Sequence, residues 1–532
     1  MKLLLAAVIA AALSLSTIAS AHDEDELGVV RFPTSCSPQV QADFERGVAM
    51  LHSYWFSYAG KTFKGVLEKD PQCAMAYWGI ALDLMGNTLG GAPRLQEAKA
   101  GLEAIEKGLA LNAKTQRERD WIAAAGQYFR GYNDTPLETR LLAYTRAMEQ
   151  ITQRYPDDYE AWVFYALTLQ ASAPKDDLKY TNQIKSAAIL DKMYSQNPQH
   201  PGVSHFLIHA FDYPPLAEKG IAAARRYAGI APAVPHARHM PSHIYSMVGL
   251  WEESIASNAR ALEIQPDYRH ASDFTVYAHL QLAQDAKAKA VMEKSAGVPD
   301  RGDRPVGGGN FTALAAMPAR YMLERADWQG AAKLPITKSA FPMADAITRF
   351  TRGLGMARTG DLAGAQAEIA AIAVHRSALE KAGQKYWADR SEEQMLAITA
   401  WIHYANGKHD DALKFMRAAA DGEDGSVKHI LMENRLYPMR ELLAEMLLEM
   451  KEPARALKEY ETSLHDNPNR YRGFYGAARA AEAANDRKKA ADYFGKVIAL
   501  SEKSDTERPE VVRAKAYIAQ RSEEHTSELQ SH

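Results

Sequence analysis

The stretch PQHPGVSHFLIH, residues 198–209, is followed 34 residues later by PAVPHARHMPSH, residues 232–243. Pro198 and Pro232 open the two segments, and Pro266 continues the series at the same spacing. Proline typically ends a helix, because it cannot donate the next backbone hydrogen bond. A fixed period of this length indicates a helical repeat array, in which each unit buries its apolar face against its neighbours.

Small and aromatic residues repeat at the same period elsewhere. Small residues recur 34 positions apart in three pairs: Ser254 and Ala288, Ala331 and Ala365, and Ala456 and Ala490. Two units carry a fuller pattern of small or apolar, alanine, aromatic and proline positions: Gly47, Ala59, Phe63 and Pro71 in one, and Leu443, Ala456, Tyr460 and Pro468 in the other. This combination of period and residue types resembles the tetratricopeptide (TPR) repeat.

The resemblance implies an all-α solenoid of TPR-like helical hairpins, wound as a right-handed superhelix, with loops inserted where spacings exceed 34. We expect about nine or ten hairpins over residues 40–500 and almost no sheet, because no segment alternates apolar and polar residues. An N-terminal array with a histidine-lined groove would cover residues 22–300, and a C-terminal array residues 311–500. The segment 301–310 would separate them, although a continuous solenoid with one long loop fits equally well. Residues 521–532 resemble a translated sequencing adapter and are excluded from the fold.

The N-terminus predicts export. A positive start and an apolar run over residues 1–21 are typical of a secretory signal peptide cleaved after Ala21, so we expect a periplasmic or secreted protein. Only two cysteines occur, Cys36 and Cys73, near the expected first two helices. In an oxidising compartment we expect them to form a disulfide; two free buried thiols are the alternative.

Composition argues against two classes of partner. The 532 residues carry 63 Lys and Arg against 66 Asp and Glu, a formal net charge of −3. A near-neutral chain is not typical of nucleic-acid binding, and we expect no nucleic-acid partner. After the N-terminal run no segment has 18 consecutive apolar residues, so we expect no membrane span.

Histidines occupy the same two positions in consecutive repeats. His205 and His209 lie four residues apart, and His239 and His243 repeat the pair 34 residues later. Residues four apart share one helix face, so the four imidazoles would line one patch of the concave groove. Pro241 should break or restart the helix that carries His243. Neighbouring positions complete the expected ligand-binding groove: His236, His270, Asp273 and Tyr277.

Two functions fit this groove, and catalytic residues stay unknown. The first, which the sequence favours, is recognition of a peptide, partner protein or small ligand on the concave surface of the array. The second is a transition-metal site, for zinc or copper, serving storage, delivery or metal-dependent hydrolysis. Its ligands would be His205, His209, His239 and His243, with Asp212 or Asp273 completing the site or orienting a ring. A third possibility is an envelope scaffold that docks through residues 440–500.

Two further motifs, CAMAYWG at residues 73–79 and MPSHIY at residues 240–245, resemble segments of exported bacterial TPR-repeat proteins. This resemblance supports the fold and export and implies no mechanism. The segment HFLIH is not a zincin motif, because Phe206 stands where the glutamate that acts as general base would follow the first histidine.

Overall fold

The computed structural model describes residues 26–299, 308–336, 339–432 and 435–530. The expected signal peptide, residues 1–21, lies outside these residues, so its cleavage and the export of the protein stay predictions. The described residues form α-helices, with a short 3-10 turn at Pro38–Val40, and contain no β-strand. This confirms the predicted all-α fold. Within the same residues, no helix combines the length and apolar character that crossing a membrane requires.

Successive helices pair as hairpins along the N-terminal half. In order they are α1 (Gln41–His52) with α2 (Phe56–Lys69), α3 (Ala74–Met85) with α4 (Leu95–Ala110), α5 (Gln116–Phe129) with α6 (Leu137–Arg154), α7 (Tyr159–Ala171) with α8 (Thr181–Gln196), and α9 (Pro201–Phe211) with α10 (Ala217–Ile230). The next unit has a divided first helix, α11 (Pro235–His239) and α12 (Pro241–Val248), followed by α13 (Trp251–Ile264). The helix break falls at Pro241, as predicted.

The pairing continues to the C-terminus. The remaining hairpins are α14 (Arg269–Gln281) with α15 (Asp285–Gly297), α16 (Gly308–Leu323) with α17 (Trp328–Ala332), α18 (Pro342–Thr359) with α19 (Leu362–Lys381), α20 (Lys385–Ala405) with α21 (His409–Asp424), α22 (Met439–Glu449) with α23 (Pro453–Asp466), and α24 (Tyr471–Ala483) with α25 (Arg487–Leu500). The helix α26 (Pro509–Gln530) follows them, and it includes residues 521–530, which the sequence analysis had excluded from the fold.

The described residues therefore hold twelve hairpins, and the expectation of nine or ten was wrong. The error comes from assigning every wide spacing to an inserted loop. The gap of 47 residues between Ala365 and Ala412 is taken up by long helices, since α19 has 20 residues and α20 has 21. The wide spacing after Ala412 does contain a long connection, between α21 and α22.

The small and aromatic positions of the first repeat do what the resemblance implies. The Phe63 ring fills the space left by two glycines: a Cβ at Gly47 would lie 2.7 Å from its Cζ, and a Cβ at Gly79 would lie 2.5 Å from its Cε1. Both distances are too short for a real contact, so α1, α2 and α3 pack this closely only with glycine at these positions. Cys36 and Cys73 form a disulfide that ties the segment before α1 to the start of α3.

The C-terminal hairpins contact the middle of the solenoid. The indole Nε1 of Trp251 donates a hydrogen bond to the carbonyl of Asn469, 2.9 Å away. The guanidinium of Arg508 pairs with the carboxylate of Asp285. Residues 425–432, named here the α21–α22 segment, reach into the N-terminal half, where Val427 and Ile430 join the apolar core of the first hairpins. This segment brings C-terminal residues to the histidine groove.

Candidate metal centre

The histidines predicted from the repeat meet at the centre of the N-terminal half. They come from α9, α11, α12 and α14, which belong to three consecutive units. The residues that meet there are His205, His209, His236, His239, His243 and His270.

The six residues divide into two groups of three, related by the 34-residue period. The first triad is His205, His209 and His236, and the second triad is His239, His243 and His270. Within each triad, one ring nitrogen of every residue lies within 4.8 Å of the others.

This division differs from the single four-histidine ligand set that the sequence suggested. Each triad takes two histidines from one unit and its third from the next. Stacking brings the first turn of the first helix of one unit beside the first helix of the preceding unit. His236 and His270, expected only as groove residues, are therefore members of the two triads.

Hydrogen bonds fix the protons of two rings in the second triad. The Nδ1 of His239 lies 2.6 Å from the Oδ1 of Asn258, whose amide nitrogen donates to the carbonyl of Ser254. The Nδ1 of His243 lies 2.8 Å from a carboxylate oxygen of Asp212. Both partners are acceptors, so each Nδ1 carries the proton. The two Nε2 atoms of these histidines face each other at 3.0 Å.

The first triad repeats this arrangement in part. The Nδ1 of His205 donates to the backbone carbonyl of His52 at 2.6 Å, and its Nε2 lies 3.0 Å from the Nε2 of His236. The other ring nitrogen of His236 bonds to the hydroxyl of Tyr268 at 2.7 Å. For His209, neither buried ring nitrogen has a hydrogen-bond partner within the described ranges.

Burial keeps these imidazoles neutral. His205, His209, His239 and His243 are at most 3% exposed, whereas His236 and His270 are half-buried. Burial lowers the pKa of His205 to about 3 and that of His239 to about 4. Burial and the neighbouring imidazoles also lower the pKa values of His209, His236, His243 and His270 well below 6.5. Neutral imidazole is the form that binds metal ions.

Aromatic side chains form the walls around the triads. The ring of Tyr227 stacks on His205, with centroids 5.2 Å apart, and Phe274 lies 4.6 Å from His243. Tyr54, in the turn between α1 and α2, lies 4.5 Å from the ring of His205. Its backbone has φ +54°, a left-handed conformation that is uncommon for a bulky residue.

Asp212 orients a ring, one of the two roles predicted for it, and is itself held by a residue that the sequence did not suggest. The ammonium of Lys428, in the α21–α22 segment, lies 2.8 Å from the same carboxylate oxygen that bonds to His243, and donates to the carbonyl of Met432. Burial raises the pKa of Asp212 to about 6, and Lys428 opposes that rise. Lys428 is 216 residues from Asp212, so no local spacing could have indicated it.

Asp273 and Tyr277 do not act as predicted. Asp273 lies 3.7 Å from the guanidinium of Arg320, and the hydroxyl of Tyr277 accepts a hydrogen bond from Arg470 at 3.0 Å. The prediction that these two residues line the groove was wrong, because this part of α14 packs against α16 and the C-terminal hairpins.

A further histidine cluster lies behind the first triad. The Nε2 atoms of His52 and His200 lie 2.7 and 2.8 Å from the two carboxylate oxygens of Glu160, and all three side chains are fully buried. The Nδ1 of His200 accepts a hydrogen bond from the backbone of Val203, so the proton of this ring is on Nε2 and points at the carboxylate. In this cluster, named here the Glu160 cluster, both carboxylate oxygens contact an imidazole, while the buried Nδ1 of His52 has no hydrogen-bond partner within the described residues.

Comparisons with known proteins find similarity only at the level of structure. No protein-family model matches this sequence, and no curated protein matches it. The crystal structure of the APC/C hetero-tetramer Cut9–Hcn1 is 12% identical over 93% of this chain and 79% of that chain, with a TM-score of 0.37. The human IFIT1 dimer with m7Gppp-AAAA is 13% identical over 88% and 91%, with a TM-score of 0.37. The human IFIT1 dimer with PPP-AAAA is 13% identical over 71% and 72%, with a TM-score of 0.34.

Proposed function

We propose that this protein binds two transition-metal ions, one in each histidine triad. The observation that carries the proposal is the pair of Nε2 atoms of His239 and His243, which face each other at 3.0 Å. Because both Nδ1 atoms donate to acceptors, both Nε2 atoms present lone pairs in the neutral rings. Two lone pairs at this distance repel each other unless a cation lies between them.

The spacing suits a metal ion. Two imidazole nitrogens that bind one zinc ion at about 2.1 Å with tetrahedral angles lie about 3.4 Å apart, so a small change of side-chain torsion opens the observed 3.0 Å. Nitrogen donors of this kind suit zinc, copper, iron and nickel. The bonds of Nδ1 to Asn258 and Asp212 are the outer-shell contacts that commonly orient histidine ligands.

The first triad supports the same function through a different observation. Neither ring nitrogen of the buried His209 has a hydrogen-bond partner among the described residues. Leaving a buried polar group unpaired costs about 1–3 kcal/mol, and a bound cation would remove that cost. A metal ion shared with His205 and His236 would satisfy the lone pair of His209.

Recognition of a peptide at the histidines, the function favoured by the sequence, has less support. The four central histidines are at most 3% exposed, and the α21–α22 segment places Lys428 against the outer side of this site. A peptide could touch these rings only after the side chains that bury them moved. Binding of a partner protein elsewhere on the array, including the expected docking region 440–500, stays a prediction.

We also propose that the protein works outside the cytoplasm, in the periplasm or in the medium. The apolar N-terminal run supports export, and the disulfide between Cys36 and Cys73 suits an oxidising compartment. Mass spectrometry of the protein recovered from the periplasm or the medium would determine its N-terminus. A first residue of His22 is expected if the chain is cleaved after Ala21.

The test of the metal proposal compares metal content across matched variants. His209→Leu and His270→Leu each remove one ligand whose Nδ1 has no hydrogen-bond partner within the described part of the chain, and leucine keeps an apolar side chain at the same place. We expect two equivalents of zinc or copper in the wild type, one in each single variant and none in the double variant. His403→Leu, at a half-buried histidine on α20, should keep both equivalents. A wild type that binds no metal would show that the paired rings share a proton instead.

A further inference from the structure

We infer that the metal in the two triads is copper, and that the reduced pair binds dioxygen between the two ions and reduces it to peroxide. This inference rests on the proposed two-metal site and names its metal and its substrate. It follows from the charge of the site, its open coordination positions and its burial.

The first argument is charge. All six donors are imidazole rings, and the carboxylate nearest to them, Asp212, is paired with the ammonium of Lys428. Two divalent ions would place four positive charges in a buried site whose ligands carry none, which is costly in a medium of low dielectric constant. Two Cu(I) ions bring half that charge, and imidazole is a good ligand for copper.

The second argument is coordination. Each triad offers three protein ligands, the number that leaves a position open for an external ligand. The triads are adjacent: the rings of His209 and His243 lie 6.0 Å apart between centroids, as do those of His236 and His239. We therefore expect the two ions to lie close enough for one small ligand to bridge them.

The third argument is access. The four central histidines are at most 3% exposed and His236 and His270 are half-buried, so an external ligand of the ions has to be small. The half-buried rings of Tyr54 and Tyr268 lie against His236 and His239. Aromatic surroundings suit a small uncharged molecule, and dioxygen meets that description.

The electron balance closes without another reactant. Each Cu(I) ion gives one electron, so two Cu(I) and one dioxygen become two Cu(II) and one peroxide dianion, with two new copper–oxygen bonds and the oxygen–oxygen bond retained. The reduced pair carries two positive charges. The oxidised pair with its peroxide also carries two, so the buried charge of the site does not change during the reaction.

The experiment loads the full-length metal-free protein with Cu(I) under anaerobic conditions and then adds dioxygen. We expect two bound copper ions and the uptake of one dioxygen per copper pair, with loss of the Cu(I) state and no signal from isolated Cu(II) in electron paramagnetic resonance. His209→Leu and His270→Leu should each bind one copper ion and no longer take up one dioxygen per two copper ions. His403→Leu should behave as the wild type does.

The outcomes separate this inference from the proposed function. If the wild type binds two zinc or copper ions but takes up no dioxygen, the inference fails and the two-metal site stands. If a single-triad variant takes up dioxygen as the wild type does, the paired mechanism is wrong. If no metal binds to the wild type, both proposals fail. Circular dichroism of each variant would show that it is folded. The double variant His209→Leu/His270→Leu should bind no copper, and His403→Leu is the control for any general loss of copper binding.

Discussion

Two histidine clusters lie on either side of the His52 peptide unit, and they use the same residue type in opposite ways. In the Glu160 cluster, His200 directs its Nε2 proton at a carboxylate, and the Nε2 of His52 contacts the other oxygen. In the second triad, the Nε2 atoms of His239 and His243 face each other without a proton. Burial and proximity are common to both clusters. The positions of the protons distinguish a structural network from a site prepared for a cation.

The largest expected effect is on stability, in the Glu160 cluster. Glu160→Gln replaces a buried carboxylate that contacts two imidazoles with an amide that has one acceptor, and we expect the free energy of unfolding to fall by about 3 kcal/mol. Chemical denaturation would measure it. Glu149→Gln, at an exposed carboxylate paired with Lys185, is the matched control and should cost less than about 1 kcal/mol. Equal losses at the two sites would contradict the structural role of Glu160.

The stability difference between wild type and Glu160→Gln should depend on pH. Burial alone raises the pKa of Glu160, but the electrostatic interactions and hydrogen bonds with His200 and His52 outweigh it and hold the pKa at about 2, below the ordinary 4.5. A depressed carboxyl pKa stabilises the fold above the unfolded value, and this contribution is lost as the pH falls through the folded one. The difference should therefore be complete above about pH 4.5 and shrink towards pH 2. Denaturation curves across this range would check it, and a constant difference would refute it.

A smaller effect is expected at the support of the second triad. Asp212→Asn removes the charge behind His243, and outer-shell changes of this kind weaken metal binding about 10- to 100-fold. Competition with a chelator should show this loss for one of the two ions only. Asp191→Asn, at an exposed carboxylate on α8, should leave both affinities unchanged. Equal weakening of both ions would mean that the triads do not bind separately.

The smallest expected effect is the change in stability of the metal-free protein when His209 is replaced. His209→Leu removes a buried ring whose nitrogens have no partner in the described ranges, so the metal-free protein should keep its stability within about 1 kcal/mol or gain slightly. His200→Leu, which takes a donor from Glu160, should lose about 2 kcal/mol. Thermal unfolding of both variants in the presence of a chelator would compare them. A large loss for His209→Leu would place it with the structural histidines.

The repeat period made much of the site predictable. Spacing alone placed His205, His209, His239 and His243 on equivalent helical positions, and Pro241 marked the helix break that the structure contains. The grouping into triads was not predictable, because it depends on how far one unit overlaps the next. That overlap is a property of packing, which the period does not encode.

Contacts between distant parts of the chain were beyond the sequence pattern. His52 meets Glu160 across 108 residues, and Lys428 meets Asp212 across 216. His52 and Glu160 meet because α1 and α7 pack into the same core. Lys428 reaches Asp212 because the α21–α22 segment returns to that core, where Val427 and Ile430 are buried. The wide spacing between Ala412 and Ala456 contains apolar residues, among them Val427 and Ile430. Their apolar character was the one signal in the sequence that this segment packs against the protein.

Anomalous X-ray diffraction from crystals of the metal-loaded protein would locate the bound ions. We predict two anomalous peaks, one within bonding distance of His205, His209 and His236 and one within bonding distance of His239, His243 and His270, and none beside Glu160. A peak between His52 and His200, or empty triads at saturating metal, would contradict the account.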